Sequence, residues 1–157
     1  MRTFSAISSN RKGYTLTELL VVLVVLGLAV ALVAPALFRS SPQSRLNNSL
    51  AQLEQAARLA QTQARLTGQD TLLQVDLDDR TLTLFPGEES FQLDRAVEIR
   101  ATVAEHELDG NLASIRFFPE GVTTGGTFLL TLDNRQEALR ISWITGRIEE
   151  VDPDEFE

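Results

Sequence analysis

The 157-residue chain has no cysteine and only one histidine, one tryptophan, one tyrosine and one methionine. Without cysteine there is no disulfide framework and no thiol nucleophile, and the redox compartment is unreadable from that residue type. The single histidine, His106, has no serine in a nucleophile-elbow pattern to act upon. Acid pairs such as Glu105 with Glu107 and Asp76 with Asp78 read as solvated strand or loop charges rather than as a working acid and base. The sequence therefore points away from an enzyme and implies no cofactor and no metal site.

Charge is also missing in places. Residues 1–13 hold Arg2, Arg11 and Lys12 but no acid, and no charged residue occurs from Leu19 to Phe38. That run is almost all Leu, Val, Ala or Gly, and at about 1.5 Å per residue it reaches roughly 30 Å, the thickness of a bilayer's hydrocarbon core. A soluble core helix so apolar on every side needs a larger body around it than this chain supplies. The basic flank stays inside, so the carboxyl-terminal part is expected on the exported side of the membrane. Residues 39–157 carry 11 Arg, no Lys and 21 acids, a net charge of −10. Such a domain has no general attraction for nucleic acid or anionic lipid.

The run is not an ordinary secretory signal, because the basic, glycine-ended stretch Arg11-Lys12-Gly13 stands directly before Tyr14-Thr15-Leu16-Thr17-Glu18-Leu19. Glu18 is a lone carboxylate at the edge of an apolar span, where an ionised acid costs about 2.5–3.5 kcal/mol on insertion scales and usually takes a partner. It also suits a helix amino terminus. Pro35 lacks an amide hydrogen and is expected to bend, locally melt or end the helix.

This stretch resembles the class III leader of type IV pilins and type II secretion pseudopilins. The resemblance implies peptidase cleavage between Gly13 and Tyr14, N-methylation of Tyr14, and a Glu18 that meets the amino terminus of a neighbouring subunit during assembly. It also implies that Gly27 and Pro35 loosen the helix for packing in a filament. Tyr14 and Thr17 depart mildly from the family, which usually has Phe and an aliphatic residue there.

Beyond the span, Ser41 suits a helix cap and Pro42 a first helical position. Leu46, Leu50, Leu53, Ala57, Ala60 and Ala64 recur at three- and four-residue steps, which predicts an amphipathic helix ending near Gly68. The period then becomes two. Leu73, Val75 and Leu77, then Leu82 and Leu84, Val97 to Val103, Ile115 and Phe117, Phe128 to Leu132, and Leu139, Ile141 and Trp143 read as strands. Segments Pro86–Glu89 and Glu105–Asn111 read as surface loops, and the acidic end Glu149–Glu157 as a solvated terminus.

The expected fold is α+β and pilin-like. A transmembrane helix continues into an amphipathic helix packed on one or two antiparallel sheets. The expected organisation is a leader at 1–13, a membrane and assembly helix at 14–38, an amphipathic helix at 39–68 and a β domain at 69–157.

The run Phe117-Phe118-Pro119-Glu120-Gly121-Val122-Thr123-Thr124-Gly125-Gly126-Thr127 resembles a Phe, Pro, Asp-Gly, Thr-Gly-Gly pattern, with Glu120 in the place of the usual Asp. Arg140 to Ile148 resembles the closing strand and Gly-Arg turn of the same pattern. With the leader, this is similar to the GspH/FimT family of minor pseudopilins and minor pilins over nearly the whole chain. Glu120, Gly121, Thr124, Gly125, Gly126, Gly146 and Arg147 form the candidate interaction loops, although glycines and Pro119 are also what loops between strands require.

Family members that take up DNA end in Gly-Arg-any-Arg, whereas Gly146-Arg147-Ile148-Glu149 here puts an acid in the last place. The resemblance therefore implies a subunit of the type II secretion pseudopilus near its tip more than a type IV minor pilin for assembly initiation or DNA uptake. The implied partners are other minor pseudopilins, the major pseudopilin, the inner membrane, a prepilin peptidase and secreted proteins.

Overall fold

The computed structural model describes residues 15–37 and 41–156, with side chains described for 15–31 and 41–156. The chain divides into two units, Met1–Arg39 and Ser40–Glu157.

The first unit contributes helix α1, Leu16–Leu37, whose backbone is helical through Gly27 and Pro35. Thr15 starts it. Its hydroxyl accepts the Glu18 amide at 3.2 Å and its carbonyl accepts the Leu19 amide at 3.2 Å, which satisfies two of the donors that a helix start leaves free. Glu18 lies in this first turn, where negative charge is favoured. Every described side chain of α1 is exposed, the Leu and Val residues from Leu19 to Val30 by half or more. Among the described residues no helix is long and apolar enough to cross a membrane. The apolar run seen in the sequence continues to Phe38, past Ala31, the last described side chain of α1.

The second unit opens with α2, Pro42–Thr67. The Ser41 hydroxyl accepts the Ser44 amide at 3.2 Å, and Gly68, at φ 67°, returns its amide to the Ala64 carbonyl at 3.0 Å. Left-handed backbone at that stop suits glycine. The buried stripe is Leu46, Ser49, Leu50, Leu53, Ala56, Ala57, Ala60 and Ala64. Its alanine half lets strands approach the helix closely.

Among the described residues, nine strands follow. β1 (Thr71–Asp76), β2 (Thr81–Phe85), β3 (Glu89–Gln92), β5 (Leu108–Asp109) and β6 (Leu112–Phe117) form one antiparallel sheet in the order β3-β2-β1-β6-β5. β4 (Glu98–Val103), β7 (Gly126–Leu132), β8 (Arg135–Ile141) and β9 (Ile148–Val151) form the second, in the order β4-β7-β8-β9. α2 packs against both sheets. Leu73, Val75, Ile115, Phe117, Phe128, Leu130, Leu139 and Ile141 fill the core beneath it, each at most 2% exposed. Alternating burial along β1 and β2 is the two-residue period expressed as packing.

Four expectations need correction. Trp143 does not extend β8 on its core face: the strand ends at Ile141, and the Gly146 amide closes a turn on the Ser142 carbonyl at 2.8 Å, leaving Trp143 67% exposed. The segment Glu105–Asn111 contains a 3-10 turn at Glu105–Glu107 and strand β5, and Glu107 is buried beside Arg116 at 3.7 Å rather than solvated. Glu89 begins β3, so the Pro86 loop is a tight hairpin connection. The acidic end is not a free tail, because Ile148–Val151 pairs with β8 and Pro153–Glu155 makes a further 3-10 turn.

Candidate assembly segment and recognition loops

Gly13 and Tyr14, the expected cleavage and methylation positions, lie outside the described residues. Glu18 and Gly27 stand on α1, and an added Cβ at Gly27 would meet nothing within 4 Å. Pro35 lies in the same helix two residues before its end. The described part of α1 thus offers one acid in its first turn and then an apolar rod.

The two loop groups named from the sequence, around Glu120–Gly126 and Gly146–Arg147, come together in space. The Gly121 amide donates to the Phe118 carbonyl at 3.0 Å, and the Thr123 amide to the Trp143 carbonyl at 3.2 Å. Thr124 binds Arg116 twice, through its amide to the carbonyl and through its hydroxyl from the amide, both at 3.0 Å. α2 supports the junction: Gln61 Nε2 donates to the Gly146 carbonyl at 2.7 Å.

The demand for glycine is sharpest at Gly146 and Gly125. A Cβ on Gly146, at φ 63°, would fall 2.2 Å from the Gly121 carbonyl oxygen, and one on Gly125, at φ 73°, 2.7 Å from the Trp143 Cβ. Both are buried and neither presents a surface to a partner. The loops do present three large apolar side chains beside their polar ones: Val122, Trp143 and Ile144 are 42%, 67% and 60% exposed. Periodicity concealed Trp143 as core; the turn signal Thr145-Gly146 was the cue to its exposure.

Glu120 and Arg147 are exposed. Arg147 Nη1 stands 3.8 Å from Glu149 Oε2, so the acid in the place of a second arginine offsets the cation beside it. A phosphate arriving here meets that carboxylate as well.

A stronger ionic contact fastens the start of α2. Arg45 Nε and Nη2 each donate to Asp94 at 2.6 Å, and Asp94 also accepts the Ala96 amide at 3.0 Å. The Arg45 hydrogen bonds and then the Ala96 amide lower the Asp94 pKa, while Asp94 raises that of Arg45.

Comparison with known proteins agrees with this architecture. The family described as Type II transport protein GspH matches residues 49–146, and the prokaryotic N-terminal methylation motif matches residues 8–34. A type II secretion system protein H of Xanthomonas campestris pv. campestris is 29% identical over 148 residues, covering 94% of this chain and 87% of its own length. The minor pseudopilin EpsH from the type 2 secretion system of Vibrio cholerae superposes with a TM-score of 0.56 at 17% identity, over 71% of this chain and 99% of that one. The type IV minor pilin FimU of Pseudomonas aeruginosa does so with a TM-score of 0.57 at 14% identity, over 72% and 92%. At these identities the two structures speak for the fold: an α+β pilin-like domain with antiparallel sheets.

Proposed function

The chain belongs to the Type II transport protein GspH family, and on that premise we propose that it is a minor pseudopilin at or near the tip of a type II secretion pseudopilus. In this role it is held in the inner membrane by residues 14–38, with its β domain in the periplasm, until the filament takes it up. The observation that carries the proposal is the order of two matches in one chain, a methylation motif over residues 8–34 followed by the GspH segment over 49–146. An apolar helix with exposed Leu and Val on all its described sides fits lateral packing against other such helices.

The mechanism is structural. Cleavage after Gly13 exposes the amino group of Tyr14, and the Glu18 carboxylate of one subunit receives the ammonium of its neighbour, which removes the penalty of leaving that acid alone in lipid. Gly27 and Pro35 let the rods fit past one another. The surface around Val122, Trp143 and Ile144 then joins the subunit to other minor pseudopilins above the shaft.

Affinity capture of the full-length chain from membranes tests this. Other pseudopilins are expected in the eluate, and their absence under conditions where a known pseudopilin retrieves them would overturn the proposal. The second reading, a type IV minor pilin that touches DNA, draws on the likeness to FimU. Arg147 beside Glu149 and a domain charge of −10 oppose it.

A further inference from the structure

The outward face of the second sheet is not what a solvated face should be. Alternation along β7 and β8 sends Phe128, Leu130, Leu139 and Ile141 into the core and turns Leu129 and Ala138 the other way. Both are nevertheless buried, 3% and 0% exposed. Cross-strand pairing sets Arg100, Leu129, Ala138 and Val151 in a single row across β4, β7, β8 and β9.

The end of the chain lies over that row. The Arg100 guanidinium sits 5.5 Å above the Phe156 ring, and Arg140 donates to the Glu155 carboxylate at 2.9 Å and to the Glu155 carbonyl at 3.3 Å. Pro153 and Phe156 are partly buried, while Asp152, Asp154 and Glu155 face solvent. The segment therefore runs from β9 at one sheet edge toward β4 at the other, apolar residues down. An exposed ion pair and one cation–π contact are weak holds, so the strap can be lifted. Beside it an open groove of about 530 Å³ continues over Thr102, Thr127, Arg140 and Glu149.

We propose that this face is a binding site for an extended protein segment carrying an aromatic side chain flanked by carboxylates, and that Asp152–Phe156 is its resident, displaceable occupant. The seated tail defines the chemistry of the ligand: a ring for Arg100 and the apolar row, a carboxylate for Arg140. Because the tail is tethered at high effective concentration, it competes with any segment arriving from another chain. The site does not depend on which filament the protein joins.

The test is fluorescence anisotropy with a labelled hexapeptide of the sequence of residues 152–157. It is titrated into the full-length chain in detergent and into a variant stopped after Val151. The shortened chain is expected to bind saturably and at least about tenfold more tightly than the intact one. Binding should be lost with Arg140→Glu, or when alanine replaces phenylalanine in the peptide. If the shortened chain fails to fold by circular dichroism, Phe156→Ala in the intact chain serves as the opened form with the same expected gain. No saturable binding to a folded opened form, or equal binding to intact and opened forms, overturns the proposal.

Discussion

At Gly146 the backbone is left-handed and an added Cβ would collide with the Gly121 carbonyl. Gly146→Ala should therefore destabilise the β domain by about 2 kcal/mol or more, read as a lower urea midpoint. The neighbouring Arg147→Ala should stay within about 0.5 kcal/mol, since its pairing with Glu149 is exposed. A glycine at this turn was legible in the sequence as loop chemistry; its contact with a second glycine 25 positions earlier was not, because no local pattern encodes which two loops meet. The Arg45–Asp94 pair supplies a pH test. Asp94 has a lowered folded-state pKa, so its contribution is complete above its unfolded value of about 3.9 and disappears as pH falls through the folded value. Asp94→Asn should make the melting temperature less sensitive to pH below about 4 than in the parent chain, measured by thermal melts across that range.

Among the elements, α2 was the most readable, because its stripe repeats at helical spacing and its two ends carry Ser41-Pro42 and Gly68. Leu53→Ala removes a fully buried side chain from the stripe of a helix that packs on both sheets and should cost about 2–5 kcal/mol, seen in chemical unfolding. β9 and the closing turn were harder. Glu149, Glu150, Asp152, Asp154 and Glu155 give the end of the chain a solvated composition, and only Ile148, Val151, Pro153 and Phe156 betray an inward side. Strand alternation likewise drew Trp143 toward the core, since nothing in a two-residue period says where a strand stops. For α1, Glu18→Ala should abolish incorporation into filaments while leaving the protein in the membrane fraction, checked by fractionation and shearing. Unchanged incorporation would remove the ion-pair step from the mechanism.

For the whole molecule, the class of fold was legible from two changes of hydrophobic period along the chain. The division of nine strands into sheets of five and four was not, because it depends on long-range pairings such as β1 with β6 and β4 with β7. Maturation belongs to this scale: intact-mass measurement of membrane-extracted protein should place the amino terminus at Tyr14, whereas an intact Met1 would exclude the proposed processing. The charge of −10 on residues 39–157 predicts no gel shift of duplex DNA by the full-length chain at about 0.15 M salt. One more consequence lies in the way α2 touches strands of both sheets. A pull applied at Pro42 against Val151, inside the strap, loads the two halves of the domain in common, so stretching single molecules should give one rupture peak instead of a staircase.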